Sequence, residues 1–168
     1  MKSKYSLALM AAVIFVAGLL VGEELSSKTT MDGRIVGLNH VAIRVPDFVE
    51  ASDFYENTLG FPLTYRFDDD NGDLLFAYFQ ISRNTFIELL PADDEHPVGL
   101  DHFGLETKKM DSVVAHFRDK GIEVTDPFVS PYTRVNLSHA QDSDGVYFEL
   151  IEAVDGSELQ KVMHDWEQ

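Results

Sequence analysis

An internal repeat after residue 37 limits the possible folds of this chain more than any other sequence feature. A shift of 62 residues places His40 on His102, and a shift of 61 places Glu88 on Glu149. A repeat of this length indicates two copies of one supersecondary unit that share a core. The matching segments keep their order along the chain: Asn39-His40-Val41-Ala42-Ile43 with Asp101-His102-Phe103-Gly104-Leu105, Leu59-Gly60-Phe61 with Lys120-Gly121-Ile122, and Ile87-Glu88-Leu89-Leu90 with Phe148-Glu149-Leu150-Ile151.

The first copy is predicted to form a strand, a helix and three further strands. A strand at 38–45 alternates in polarity and ends at Pro46. Asp47 and Glu50 form a capping box for the helix, which Gly60 ends. Three strands are then predicted at 62–67, 74–81 and 85–91.

The second copy repeats this order. A strand at 100–107 precedes a helix with apolar residues at helical spacing, and Gly121 ends that helix. Strands are predicted at 122–128, 133–140 and 146–153, with a turn over 142–145. The sequence thus predicts an α+β domain at 37–153, made of two βαβββ modules at 37–92 and 99–153.

The N-terminal segment is predicted to be an export signal or a membrane anchor. Lys2 and Lys4 precede an uncharged apolar run at 5–22, and Glu23 begins an acidic stretch. This order is typical of a segment inserted with its basic end in the cytoplasm. We therefore predict a signal peptide or anchor at 1–24, a linker at 25–36 and a C-terminal tail at 154–168, in a protein that is exported or tethered through residues 5–22.

Charge and cysteine content exclude several classes of function. Asp and Glu number 29 against 13 Lys and Arg, giving a formal net charge of −16. A field of this sign repels nucleic acid, so no nucleic-acid partner is expected. There is no cysteine, so any metal ion must be held by nitrogen and oxygen ligands.

Two histidines and two glutamates are predicted to face one side of the sheet. Side chains alternate across a strand, which separates His40 from the apolar set that begins at Val41. Glu88 and Glu149 stand inside apolar runs, where a carboxylate is costly to bury unless it is paired or bound to a metal. Each residue alone has an ordinary structural explanation, but His40, Glu88, His102 and Glu149 at equivalent repeat positions predict a metal site.

Two motifs are similar to those of a known superfamily. His40-Val41-Ala42-Ile43-Arg44-Val45-Pro46-Asp47, followed by Phe54-Tyr55 and Leu59-Gly60-Phe61, resembles the first module of vicinal oxygen chelate proteins. Asp142-Ser143-Asp144-Gly145 before Glu149 resembles the closing motif of the second, with Ser143 in place of the usual proline. The resemblance covers about 37–153 and implies a curved mixed sheet around a metal, with His40, Glu88, His102 and Glu149 at the four ligand positions of glyoxalase I-like members.

This ligand set implies a divalent ion with open coordination positions, which can be nickel, zinc, cobalt, manganese or ferrous iron. The resemblance implies lyase or isomerase chemistry through a metal-stabilised enediolate on a small substrate with vicinal oxygens, with Glu149 as first candidate for the base and Glu88 as second. Arg44 is expected either to bind a substrate carboxylate or to pair with an acid such as Glu106. Phe86, Tyr147 and Glu106 are further candidates for substrate binding.

Other functions of the same superfamily remain open at this point. Epimerisation uses the same chemistry. A ferrous extradiol-type dioxygenase would use two histidines and one glutamate, and a binding protein similar to the bleomycin-resistance proteins would hold a small molecule without turnover. A homodimer is expected, and the four ligands can come from one chain or from two.

Overall fold

The computed structural model describes residues 35–166. The predicted signal or anchor segment and most of the predicted linker lie outside these residues, so export and membrane tethering stay predictions. Within 35–166 no helix is both long and apolar enough to span a bilayer.

The first module follows the predicted order of elements. Asp47 caps the helix as expected, because its side chain accepts hydrogen bonds from the backbone N–H groups of Val49 and Glu50. The helix then continues as a π-helical turn, and Gly60 follows with a φ of 76°. The elements are β1 (Ile35–Val45), α1 (Phe48–Asp53, with the π-helical turn Phe54–Thr58), β2 (Leu63–Asp68), β3 (Leu74–Ser82) and β4 (Thr85–Pro91).

The second module has the same order and is followed by one more helix. Gly121 has a φ of 77°, nearly that of Gly60, and ends the second helix in the same way. The predicted tail contains a helix whose Leu159 and Met163 are buried. The elements are β5 (Gly99–Thr107), α2 (Met110–Asp119), β6 (Phe128–Val129), β7 (Asn136–Gln141), β8 (Tyr147–Glu152) and α3 (Glu158–His164).

Two strands of the second module are shorter than predicted. The strand expected at 122–128 is reduced to β6, because Pro127 has no N–H and Thr125 bonds to β7 through its side-chain oxygen as well as its backbone. The strand expected at 133–140 begins only at Asn136. Arg134 has a φ of 59°, a left-handed conformation that a strand cannot contain.

All eight strands form a single curved mixed sheet in the order β2-β3-β4-β1-β5-β8-β7-β6. The two modules meet where β1 pairs with β5 in antiparallel fashion, and each of these strands has the last strand of its own module as its parallel neighbour on the other side. The first and last strands of both modules are therefore side by side at the centre of the sheet, which confirms the predicted paired-module fold.

Separate groups of apolar side chains pack on the two faces of the sheet. On the outer face α1 packs over the first module around Phe79 and Leu89, and α2 packs over the second around Leu150. On the inner face α3 contributes Leu159 and Met163 to a cluster that also contains Tyr78, Phe86, Val135 and Ile151. The helices α1 and α2 leave the inner face free, and α3 covers only part of it.

Candidate metal centre

The strand register brings the four predicted ligands together in two rows across the sheet. In one row Ala42 has Glu88 as its partner on β4 and His102 as its partner on β5. In the other row Gly104 has His40 on β1 and Glu149 on β8. A small residue thus separates two large polar ones in each row, and one chain supplies all four groups.

Short distances join the ligand atoms of these residues. The two imidazole Nε2 atoms lie 3.2 Å apart. Glu88 Oε2 lies 3.4 Å from Nε2 of His40 and 3.5 Å from Nε2 of His102. Glu149 lies 3.7 Å from His40 Nε2 through Oε2 and 3.8 Å from His102 Nε2 through Oε1. His40, His102 and Glu149 alone already offer ligand atoms within 4.8 Å of one another, a group that could hold a metal ion.

His40 is fixed from behind by two polar groups. Its side chain is fully buried, and its Nδ1 lies 3.1 Å from Asn39 Oδ1 and 3.3 Å from the hydroxyl of Tyr78. Hydrogen bonding at Nδ1 leaves Nε2 as the nitrogen that faces the other three groups. The orientation of this imidazole therefore depends on its own strand and on β3.

His102 is fixed by a chain of charged groups. Its Nδ1 lies 2.6 Å from Asp101 Oδ1, and the other oxygen of Asp101 accepts a hydrogen bond of 2.6 Å from Arg44 Nε. Arg44 also donates to the carbonyl of Pro91. A carboxylate on the far nitrogen of a ligand histidine holds the ring in one orientation and makes it a better ligand.

The remaining candidates for substrate binding lie in different surroundings. Arg44 forms its ion pair with Asp101, whereas Glu106 is buried and bonded to Asn84 and Lys108. Phe86 is fully buried in the inner-face cluster. Tyr147 is half-buried, and its hydroxyl donates to Glu149 Oε1 at 3.4 Å.

Four groups that sequence reasoning did not assign to the site contact its members. Asn39 and Asp101 hold equivalent places, since each directly precedes a histidine and bonds to its Nδ1. The repeat contains this signal, because Asn39 aligns with Asp101. Tyr78 had no such signal, since only the folded sheet places it beside His40. His139, opposite Glu149 on β7, also reaches it, with 3.6 Å between Nε2 and Oε1.

Burial and mutual charge shift the pKa values of three of these groups. Burial lowers the pKa of His40 to about 4, against the attraction of Glu88. Burial also lowers the pKa of His102, but Glu88, Glu149 and Asp101 outweigh it and raise the value to about 9. Burial raises the pKa of Glu149 to about 7, with Glu88 adding to the effect against His102. A cation that binds here at neutral pH would therefore have to displace protons from His102 and Glu149.

A cavity of about 270 Å³ opens beside these groups on the inner face. Its wall includes Glu88, Glu149 and His139, together with aromatic and aliphatic side chains from both modules. Leu159 of α3 closes part of it. The two carboxylates are therefore accessible to a small molecule, while His40 is sealed behind them.

The arrangement of donors fits a single divalent cation. Glu88 Oε2 is buried and forms no hydrogen bond among the described residues, although both imidazole Nε2 atoms lie within 3.5 Å of it. Nitrogen and oxygen ligands about 2.0–2.2 Å from one ion stand roughly 3.0–3.5 Å from each other, which is close to the distances found here. Two neutral imidazoles and two carboxylates also balance the charge of the ion.

The sequence model of the Glyoxalase/Bleomycin resistance protein/Dioxygenase superfamily matches residues 37–150, so the chain belongs to this superfamily, also called vicinal oxygen chelate proteins. No curated protein sequence matches the chain significantly. The resemblance inferred from the two motifs is thereby confirmed at the level of the superfamily.

Solved structures share the fold at low sequence identity. Methylmalonyl-CoA epimerase from Mycobacterium tuberculosis is 21% identical with a TM-score of 0.61, over 73% of this chain and 91% of that one. The Streptomyces coelicolor methylmalonyl-CoA epimerase in complex with 2-nitronate-propionyl-CoA is 20% identical with a TM-score of 0.61, over 73% and 98%. A hypothetical protein from Bacillus halodurans is 19% identical with a TM-score of 0.59, over 71% and 96%.

Gly104 provides a direct test of how His40 is positioned. A Cβ added at Gly104 would lie 2.4 Å from His40 Cε1 and 2.6 Å from its Nδ1, so Gly104→Ala must displace the imidazole. We expect zinc affinity to fall at least tenfold and the free energy of unfolding to fall by about 1–3 kcal/mol. Gly37→Ala is the matched control, because no atom of the described residues lies within 4 Å of its added Cβ. Titration calorimetry and urea unfolding measure both quantities, and equal affinities in the two variants would contradict the positioning.

The raised pKa values predict a dependence of metal affinity on pH. Metal ions bind the deprotonated ligands, and below about pH 9 His102 must lose a proton first, as must Glu149 below about pH 7. Affinity for zinc should therefore rise with pH, by about tenfold per unit between pH 7 and 8, where one proton is displaced. Calorimetry in two buffers of different ionisation enthalpy counts the released protons. An affinity that is constant between pH 6 and 8 would contradict these pKa values.

Proposed function

We propose that the chain is a metal-dependent enzyme that moves a proton at a carbon next to a carbonyl group, in a lyase or isomerase reaction on a small substrate with two neighbouring oxygens. One observation carries this proposal: four ligand atoms from the two modules meet beside one cavity, and within residues 35–166 Glu88 Oε2 among them forms no hydrogen bond. The methylmalonyl-CoA epimerases that share the fold are named for an isomerisation, which supports this class of reaction.

His40, Glu88, His102 and Glu149 would hold the ion, which is nickel, zinc, cobalt, manganese or ferrous iron. When bound, it would supply Lewis-acid chemistry to the substrate oxygens. The chain itself orients the ligands, because Asn39 and Asp101 fix the imidazoles from behind.

Glu149 is the base that we assign to the reaction. Its side chain keeps 15% of its surface exposed and lines the cavity, whereas His40 is sealed. A carboxylate in this position can both accept and return a proton, as a general base must. Tyr147 donates to Oε1 and limits the rotation of the carboxylate, and its own raised pKa, caused by burial and then by Glu149, keeps it protonated. Glu88, also in the cavity wall, is the second candidate.

A ferrous dioxygenase is the second candidate function. His40, His102 and Glu149 offer ligand atoms within 4.8 Å of one another, which matches the two-histidine, one-carboxylate pattern of non-haem iron oxygenases. Glu88 argues against this function, because a fourth ligand reduces the positions open to oxygen and substrate. Oxygen uptake by the iron-loaded protein with a catechol separates the two functions.

Replacement of Glu149 tests the assigned base. For the metal-loaded protein in D₂O, we expect exchange of the α-proton in at least one member of a series of α-hydroxyketones from hydroxyacetone to α-hydroxyacetophenone, followed by NMR. Glu149→Gln should slow this exchange by about 10²–10⁴-fold, the usual contribution of a general base, and weaken metal retention. Glu152→Gln on the same strand is the control, since Glu152 bonds to Asn136 away from the cluster. Full exchange by Glu149→Gln at equal metal content would refute the assignment.

A further inference from the structure

We propose that the substrate is a neutral molecule of about the size of one substituted ring, an α-hydroxyketone with an aromatic or similarly apolar body. This inference rests on the proposed function and adds the class of substrate. It follows from the charges, the aromatic side chains and the unpartnered polar atoms of the cavity of about 270 Å³.

The described part of the cavity wall offers no lysine or arginine to an anionic substrate. Among the described residues that line it there is neither lysine nor arginine. Arg44 is held by Asp101 and by a backbone carbonyl, and Arg83 is held by the carbonyls of Met163 and Trp166. Glu88 and Glu149 offset the charge of a bound divalent ion. An anionic substrate would therefore lose its hydration without gaining a cationic partner.

Aromatic rings from both modules form most of one wall. Tyr65 stacks on Tyr78 with 4.8 Å between ring centroids. Tyr132, in the loop before β7, reaches across to the first module, where its ring lies 5.5 Å from Phe76 in an edge-to-face contact. Such rings favour flat apolar ligands through burial and edge-to-face contacts. Tyr132 is 44% exposed, so its ring forms the part of this wall that lies next to solvent.

Three polar side chains of the cavity wall suit neutral oxygen atoms. Asn39 Nδ2, the Tyr65 hydroxyl and His139 Nε2 are buried and have no hydrogen-bond partner among the described residues, and each belongs to a residue that lines the cavity. A buried polar group without a partner costs about 1–3 kcal/mol, which a hydroxyl or carbonyl of the substrate would recover. All three atoms can donate to a neutral oxygen, as carbonyl recognition requires.

The volume sets the size of the bound part. A cavity of about 150 Å³ holds benzene in another protein, so this one accommodates a ring with a short hydroxyketone chain. The reaction is an isomerisation. Glu149 takes the proton from the carbon that carries the hydroxyl, and a proton returns either to the same carbon or to the former carbonyl carbon. In the second case the hydroxyl proton moves to the other oxygen, so that hydroxyl and carbonyl exchange places. No oxidant or reductant is needed.

Two matched probes test the class of substrate. Para-methyl and para-carboxylate derivatives of α-hydroxyacetophenone carry the same pair of oxygens and differ in charge at the far end of the ring. We expect the metal-loaded protein to bind the neutral probe at least tenfold more tightly in titration calorimetry. Equal affinities, tighter binding of the carboxylate, or no binding of either probe would overturn the inference.

Variants of the wall separate this inference from the proposed function. Tyr132→Ala should weaken binding of the neutral probe about tenfold without changing metal content, and Phe54→Ala, at an exposed ring on the other face, should change neither. An equal affinity in Tyr132→Ala and the parent protein would count against the aromatic wall. Binding of the neutral probe with no α-proton exchange across the ketone series would contradict the proposed function alone. If α-protons exchange but the protein binds the para-carboxylate probe more tightly, the inferred substrate class alone would be wrong.

Discussion

The antiparallel pairing of β1 with β5 is the constraint on which the rest of the structure depends. This pairing joins the two modules and places His40 beside Gly104 and Ala42 beside His102. Since β4 and β8 flank this pair in parallel, their glutamates meet the histidines from either side. A shift of the register by one residue would turn one histidine to the outer face, because side chains alternate along a strand. The fold and the site are thus specified by the same backbone hydrogen bonds.

Electrostatics explains why this arrangement favours a cation. Two carboxylates and two imidazoles lie close together and largely buried on the inner face of the sheet, where unpaired charge is costly. Without an ion, the groups share protons, as the raised pKa values of His102 and Glu149 show. A divalent ion would replace those protons and would bind Glu88 Oε2, which forms no hydrogen bond among the described residues. The groups that contact Nδ1 of the two histidines differ. His40 contacts the neutral amide of Asn39, whereas His102 contacts the carboxylate of Asp101, which is paired with Arg44.

Much of the fold and of the candidate site could be predicted from the sequence because both modules carry the same pattern of residues. The repeat gave the order of elements, and alternation along each strand gave the faces of the four polar residues. The ends of β6 and β7 could not be predicted, because they depend on the bonds of Thr125 with β7 and on the left-handed backbone of Arg134. The partner of Arg44 was also open, since Asp101 becomes its neighbour only through the pairing of β1 with β5. The role of α3 was missed because its few apolar positions gave no strong periodic signal.

The superfamily fold brings four groups of one chain together, and the proposed chemistry depends on a metal ion between them. Elemental analysis after equilibration with each candidate metal, combined with X-ray absorption spectroscopy, tests for this ion most directly. We expect one tightly held divalent ion per chain, with two imidazole nitrogens and carboxylate oxygens in its coordination shell. Less than about a tenth of an ion per chain with every metal, or a shell without imidazole, would contradict it.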